Sequence, residues 1–434
     1  MADPQVSVPA GGPTALTRRT IIAVAIGNFV EWFDFALYAI FAKSLAVVFF
    51  ASDDQMTSLL TTFAVFGVAI VARPAGALLF GHLGDRIGRR RTLSAVILLM
   101  SASTAAIGLI PSPAAIGVAA PVLLVLLRVV QGFAAGGEYG GAASFMVESA
   151  PLPRRGLYAS LAVSTQFLAA AVGLLIGTLI AQSLRPDQLA SWGWRLPFLL
   201  ALPLGVIGLY LRKKLRDPAL FSTASGGGDG VHSAPLAVLM RTHGRALLKV
   251  VGLVVYGTSG AYLLLYLPTY SQTILGVVPT QAFVAALVAL MTGTIAALIS
   301  AAASDRFGRR PCLIAVSLAA AVLIYPAFLL LQGGAVSYMA AHLLIGLLVG
   351  AYAGPMSAAI AEMFPTALRY SGLSVGYSVA TSVFGGMTPL LLTTLLGATG
   401  DRLAPTWFFI GAALVSLVSA FTVAETAGKP LQDT

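Results

Sequence analysis

The sequence predicts an all-α membrane protein with twelve transmembrane helices in two six-helix bundles. Three observations carry that prediction. Apolar residues make up 58% of the 434-residue chain and charged residues only 10%, where a soluble protein carries about 25% charged. The apolar residues fall into runs of about 20 or more, the length that crosses a hydrocarbon core. Finally, residues 81–91, Gly-His-Leu-Gly-Asp-Arg-Ile-Gly-Arg-Arg-Arg, recur as Ala-Ala-Ala-Ser-Asp-Arg-Phe-Gly-Arg-Arg-Pro at 301–311, about half a chain later.

The spacing predicts spans at 21–50, 56–82, 92–112, 116–149, 157–183, 193–211, 245–275, 280–302, 311–332, 336–364, 371–397 and 404–424. Span one follows a Pro/Gly/Ala-rich tail, residues 1–20. Its length, with Glu31 and Asp34 inside it, argues against a secretory signal. Spans one, four, seven and ten are the longest, which permits tilt. Spans two and three enclose the first basic loop, and spans eight and nine enclose its repeat. Asp85, Arg86, Gly88, Arg89 and Arg90 correspond to Asp305, Arg306, Gly308, Arg309 and Arg310, and Gly84 opens the first copy. Spans four and ten end in a second repeat. Glu148 and Glu362 are each followed by Pro three residues later and by Arg seven residues later, Arg155 and Arg369. Two loop types repeated once per half are the mark of a transporter built from tandem parallel repeats. The halves are then 21–211 and 245–424. Residues 212–244, with Arg212, Lys213, Lys214, Arg216 and the Gly226–Gly228 run, read as a linker, and 425–434 as a tail.

The arginines and lysines set the orientation. Twenty of the 26 fall on one side if the N-terminus is inside. Lys43, Arg185, Arg195 and Arg402 fall at or near the other side, and Arg73 and Arg128 lie within spans. Positive loops stay in the cytoplasm, so both termini are expected inside. The net charge of +10 answers to anionic headgroups rather than to nucleic acid. The single cysteine, Cys312, excludes an intrachain disulfide, and the four histidines lack metal-ligand spacing. The sequence holds no Ser/His/Asp arrangement and no Walker loop. It therefore points to a carrier rather than an enzyme, without cofactor or metal and driven by an ion gradient.

An ionisable group near the bilayer centre costs several kcal/mol or more, so it is paired or functional. Glu31 and Asp34 are three residues apart on one helix face of span one, which Asn28 and Tyr38 continue. Burial and a neighbouring cation act in opposite directions on a carboxyl's proton affinity, the tunability that a proton-coupling site requires. The same residues can equally form a static network between helices. Arg128 and Arg73 are the counter-ions on offer, and either can bind a substrate carboxylate bidentately or merely neutralise the acids. Glu138, about 15 Å beyond Arg128 along a continuous helix, is a second relay or gating carboxylate. Gly132, Gly136 and Gly140 recur at i+4, as close helix packing requires.

Residues 250–304 carry no charge at all. Span seven instead holds Tyr256, Tyr262, Tyr266 and Tyr270. Aromatic faces hold quaternary ammonium groups, but they also pack and anchor at interfaces.

The loop at 81–91, the stretch from Gly27 to Phe35 containing Asn28, Glu31 and Asp34, the stretch from Arg128 to Gly141, and Trp192-Gly-Trp-Arg-Leu-Pro-Phe198 together resemble the metabolite:proton symporter family of the major facilitator superfamily. The resemblance spans nearly the whole chain. It implies the major facilitator fold, a multi-pass protein of the bacterial inner membrane that functions as a monomer, proton coupling and a small-molecule substrate. It places Asn28, Glu31, Asp34, Arg73, Arg128 and Glu138 at the coupling or substrate site. Tyr38, Gln131, Tyr256, Tyr262 and Tyr266 are expected to line the cavity, and the two repeated loops to form the gates. Residues 202–212, 304–311 and 425–431 look most like proline/betaine transporters, whereas Ser378–Gly386 looks as much like citrate or oxoglutarate symporters. The chain stops soon after span twelve, so osmotic sensing by a coiled-coil tail is not expected. The expected function is proton-coupled import of a small zwitterionic osmolyte, with import of an organic carboxylate as the alternative. Export of a drug or metabolite is disfavoured by the symporter-like first helix. Two buried arginines against three acids also argue against a trianionic substrate.

Overall fold

The computed structural model describes residues 15–87, 89–213, 239 and 241–431. Every long apolar run forms a helix. Among the described residues, eleven helices are long and apolar enough to cross a membrane, and twelve if one bent pair is a single span. We number the spans α1–α12. In the first half, α1 is Ala15–Ile40, continued after a 60° bend by Ala42–Phe49. The next two are α2, Gln55–Val71 and Arg73–Ile87, and α3, Arg89–Leu109. They are followed by α4, Ala119–Ala135 and Glu138–Glu148, α5, Arg155–Ser183, and α6, Arg195–Lys213. The second half begins with α7, Gly244–Thr273, α8, Pro279–Phe307, and α9, Arg309–Leu331. It closes with α10, Ala335–Ala361, α11, Thr366–Ala380 and Thr388–Thr399, and α12, Ala404–Thr422. Most of the expected linker 212–244 lies outside the described residues.

The halves meet along two corresponding faces. α5 packs on α8 and α10, and α2 packs on α11. α1 and α4 reach across to α7 and α11 at the centre. α7 is the most thoroughly buried span, whereas Leu98, Val206, Val322 and Trp407 point outward, as residues facing lipid do.

The helix breaks have local causes. Pro74 has no N–H to give to the Ile70 carbonyl. That carbonyl instead accepts a bond from Ser382 Oγ on α11, at 2.7 Å. α2 therefore breaks at Ala72, immediately before Arg73. α4 loses its regular hydrogen bonding at Gly136 and Gly137, but both stay in the right-handed helical region, and Glu138 continues the span of Arg128 as expected, within the 30 residues Ala119–Glu148. α11 is π-helical over Thr381–Gly385, the segment that carries Ser382.

The expected role of the α4 glycines holds. A Cβ on Gly132 would stand 1.5 Å from the Ala69 carbonyl oxygen, one on Gly136 2.0 Å from that of Arg73, and one on Gly140 2.0 Å from Ser374 Oγ across the interface. α4 thus lies directly on the α2 backbone at the level of Arg73. Replacing Gly132 with Ala forces the two helices apart, an overpacking cost of about 1–3 kcal/mol. Thermal unfolding in detergent should show a clear fall in Tm for Gly132→Ala. Gly411→Ala, where an added Cβ meets nothing within 4 Å, should leave Tm unchanged or raise it slightly.

Candidate functional site

The first-half charges converge. Glu31 lies on α1 and Arg73 begins the second segment of α2, which places Arg73 Nη2 2.7 Å from Glu31 Oε1. Both side chains are buried. Arg128 enters from α4. Its Nη1 donates to Gln131 Oε1 at 2.9 Å, and Gln131 Nε2 donates in turn to Thr104 on α3. The guanidinium carbon lies 4.1 Å from the centre of the Tyr38 ring, 5.1 Å from Phe66 and 5.3 Å from Phe35. Arg73 lies 4.6 Å from the same Phe35 and 5.7 Å from Trp32. Aromatic faces stabilise a cation that has left water, and three of them surround Arg128.

The expected Arg73–Glu31 pair is therefore present, whereas Arg128 hydrogen-bonds Gln131 rather than Asp34. Asp34 is only 1% exposed, and neither of its carboxyl oxygens has a hydrogen-bond partner. Arg128 Nε and Nη2 are likewise buried and unpartnered. Asn28 turns to α5, donating to the Ala162 carbonyl at 2.6 Å and to Thr165 Oγ1 at 2.8 Å. Glu138 is buried beyond the interruption of α4.

The tyrosines of α7 divide. Tyr262 packs against Trp32 and Phe66 of the first half, with ring centres 5.9 and 5.7 Å apart. Tyr266 lies one turn further from the basic loops, against Phe63 at 5.5 Å, and its hydroxyl bonds Thr393. Tyr256 does not join them. It is about 9 Å back along the helix, stacked edge-on against Tyr352 within the second half. The reason is helical phase, since six residues carry a side chain well round the axis. Trp32, Phe35 and Phe66 were missed as site residues because aromatic residues in an apolar span read as ordinary packing. Ser382, Gly385 and Gly386 were likewise missed, although they lie in the Ser378–Gly386 stretch already singled out.

At the basic-loop end the two repeats interlock. Arg369 Nη1 of the second half is 2.9 Å from Glu148 Oε1 of the first, and Arg155 Nη1 of the first is 3.4 Å from Glu362 Oε1 of the second. Each glutamate thus pairs with the arginine of the opposite repeat. Asp305 accepts from the Gly156 and Leu157 N–H groups, at 2.8 and 3.0 Å, at the N-terminus of α5 where a carboxylate is favoured. Arg309 binds Asp305 at 2.7 Å and Glu362 at 3.4 Å. Arg306 is exposed over Phe307. In the first copy of the loop, Gly84 lies in the second segment of α2, and Gly88 and the side chains of Asp85, Arg86, Arg89 and Arg90 lie outside the described residues. Deeper in, Tyr139 stacks on Tyr377 across the halves, and the Tyr370 hydroxyl donates to the Gly137 carbonyl at 2.8 Å.

The tail joins this latch. Glu425 accepts from the N–H groups of Arg309 and Arg310, at 2.9 and 3.0 Å, and from those of Thr426 and Ala427. Gly308 has φ +103°, and a Cβ there would fall 2.6 Å from Glu425 Oε2, so only glycine admits the carboxylate. Arg155 also donates to the Lys429 carbonyl at 3.0 Å. Partial burial alone would raise the Glu425 carboxyl, but the four backbone donors outweigh it and hold it below the ordinary value of 4.5.

The family model of the Major Facilitator Superfamily matches residues 24–385. A proline/betaine transporter of Salmonella typhimurium is 36% identical over 430 residues, covering 96% of this chain and 85% of that protein. A glycine betaine/proline/ectoine/pipecolic acid transporter of Dickeya dadantii is 35% identical over 430 residues, covering 96% and 85%. An ectoine/proline transporter of Corynebacterium glutamicum is 33% identical over 434 residues, covering 96% and 86%. Among solved structures, a proton:xylose symporter superposes with a TM-score of 0.77 at 18% identity, over 97% of this chain and 99% of that one.

A carboxylate whose native value is depressed stabilises the fold above its unfolded value, and that stability is lost as pH falls through the native one. Protection of the Arg309 and Arg310 amides against hydrogen exchange should therefore persist at neutral pH. It should disappear as pH drops below the ordinary glutamate range, after correction for intrinsic exchange. In Glu425→Gln the protection should be weak at every pH.

Proposed function

This chain belongs to the Major Facilitator Superfamily, and we propose that it is a proton-coupled symporter importing a small zwitterionic osmolyte of the proline or glycine betaine type. The observation that carries this reading is Arg128, a fully buried cation with two donor nitrogens, Nε and Nη2, unspent, set among aromatic rings and close to Asp34, whose carboxyl oxygens have no hydrogen-bond partner. A carboxylate arriving there regains in charge-assisted bonds the hydration it has lost. Glu31, Asp34, Arg73 and Arg128 balance in charge. With Asp34 protonated the cluster carries a single positive charge, which one carboxylate answers, whereas a di- or trianion leaves surplus negative charge buried at a cost. The named substrates of the relatives point the same way.

The basic-loop end is the cytoplasmic one, by the distribution of arginine and lysine. Alternating access is movement of one half against the other. The exchanged Glu148–Arg369 and Arg155–Glu362 pairs close the cytoplasmic side, and Phe63 with Tyr266 packs towards the outside. Asp34 takes the proton. Protonated, it removes one negative charge from the cluster, which leaves Arg128 free to grip the substrate carboxylate. Losing the proton to the cytoplasm restores Asp34 as a competing anion and favours release. No bound cofactor is needed, since the proton gradient supplies the energy.

Uptake into proteoliposomes with an inward proton gradient tests the proposal. The wild-type protein should accumulate proline or glycine betaine. Asp34→Asn should abolish accumulation against a gradient while keeping exchange. Arg128→Ala should eliminate uptake. Arg128→Lys keeps the charge without the planar two-point grip and should raise the apparent KM by at least about 30-fold, as losing a buried charged contact worth about 2–5 kcal/mol requires. Accumulation of a dicarboxylate, with neither zwitterion taken up, would overturn the proposal.

A further inference from the structure

Two of the buried polar atoms without a hydrogen-bond partner belong to aromatic rings on opposite halves of the molecule: the indole Nε1 of Trp32 and the hydroxyl of Tyr262. Their ring centres are 5.9 Å apart at 47°. Phe66 closes a third side, edge-on to Tyr262 at 5.7 Å and 74°. α11 holds Tyr262 from behind, where a Cβ on Gly385 would come within 2.7 Å of its ring. Packing alone does not explain these residue types. At Tyr262 phenylalanine fills the same volume without burying an unsatisfied donor, and at either position an unsatisfied donor destabilises the fold. Both rings therefore have the composition of a wall that meets something polar.

The neighbouring charges say which kind of group fits. Arg128 lies 5.1 Å from the Phe66 ring, so a single phenyl ring separates its guanidinium from the Tyr262 face. A ligand with its carboxylate on Arg128 and its nitrogen one carbon away spans that ring. Arg73 shares this wall, 5.7 Å from the Trp32 ring, but its charge is answered by Glu31 and it lies closer to Phe35, at 4.6 Å. We infer that Trp32 is a specificity-determining residue which, with Tyr262 across the interface and Phe66 beside it, takes the cationic nitrogen of the substrate. This rests on the zwitterion reading above and adds to it a consequence for closure. Trp32 and Tyr262 come from different halves, so the nitrogen is gripped from both sides only when the halves meet.

The inference separates two kinds of nitrogen. A quaternary ammonium has no N–H and relies wholly on aromatic faces, of which indole is the strongest. A secondary ammonium also has two N–H donors for nearby oxygens. In proteoliposomes, Trp32→Leu should raise the KM for glycine betaine about tenfold or more and that for proline by no more than about threefold, with the maximal exchange rate retained. Trp32→Phe, which keeps a weaker aromatic face, should fall between wild type and Trp32→Leu and serves as the folding control. Equal shifts for both substrates, or a lower maximal rate at unchanged KM, would contradict the inference while leaving osmolyte transport intact. A binding measurement stands apart from transport. Tetramethylammonium added to the purified protein should change the intrinsic fluorescence of wild type but not of Trp32→Phe. If wild type transports neither zwitterion, that response still decides the role of Trp32: its presence supports the cation wall, and its absence removes it.

Discussion

A charge taken out of water into a membrane-spanning bundle must be answered by the bundle itself, and the arrangement around Glu31 and Arg73 is the answer on which the site depends. Their 2.7 Å contact fastens α1 to α2 where α2 is broken, so the break has a fixed geometry. Phe35 lies between the Arg73 and Arg128 guanidinium groups, 4.6 and 5.3 Å from them. It offers aromatic surface to both cations and keeps them apart. Asp34 shares the helix face of Glu31 but not its partner. The cluster thus holds one fastened pair, which supplies structure, and one loose acid and one loose base, which are available for chemistry.

The second dependence is on symmetry. A repeat within one chain gives both halves the same Glu-x-x-Pro-x-x-x-Arg turn, and the turns are complementary to each other. Glu148 pairs with Arg369, and Arg155 with Glu362. Ion pairs are well suited to a contact that must form and break, because their separated members can be rehydrated at the aqueous end of the bundle. The Pro74–Ser382 arrangement does the same with a hydrogen bond. A helix carbonyl stripped of its regular donor by proline is satisfied by a hydroxyl from the other half. Both devices tie the energy of the resting bundle to contacts between the halves rather than within them.

Much of this was legible in the sequence because membrane spans obey strong rules. Run length read out the apolar spans, eleven or, with the bent pair as one, twelve among the described residues. The scarcity of buried charges left Arg73 with few partners besides Glu31. The rest depends on quantities a sequence does not display. Helical phase placed Tyr256 against Tyr352 instead of beside Tyr262. The interruption of α4 at Gly136 and Gly137 lies where Gly136 closely approaches the Arg73 carbonyl, an approach that a sequence does not display. Trp32, Phe35 and Phe66 are indistinguishable from packing residues until the guanidinium groups are located above them. Glu425 looks like an unremarkable tail residue, yet it meets two backbone donors at the start of α9 and two of its own tail.

The central claim is that a neutral zwitterion crosses with a proton bound at the buried acid, so each cycle carries one net positive charge. Current measured from proteoliposomes on a solid-supported membrane tests it most directly, with glycine betaine or proline added outside and no other gradient imposed. The account predicts an inward positive current accompanied by uptake of one proton per substrate. A current of opposite sign, or electroneutral uptake without proton movement, would contradict it.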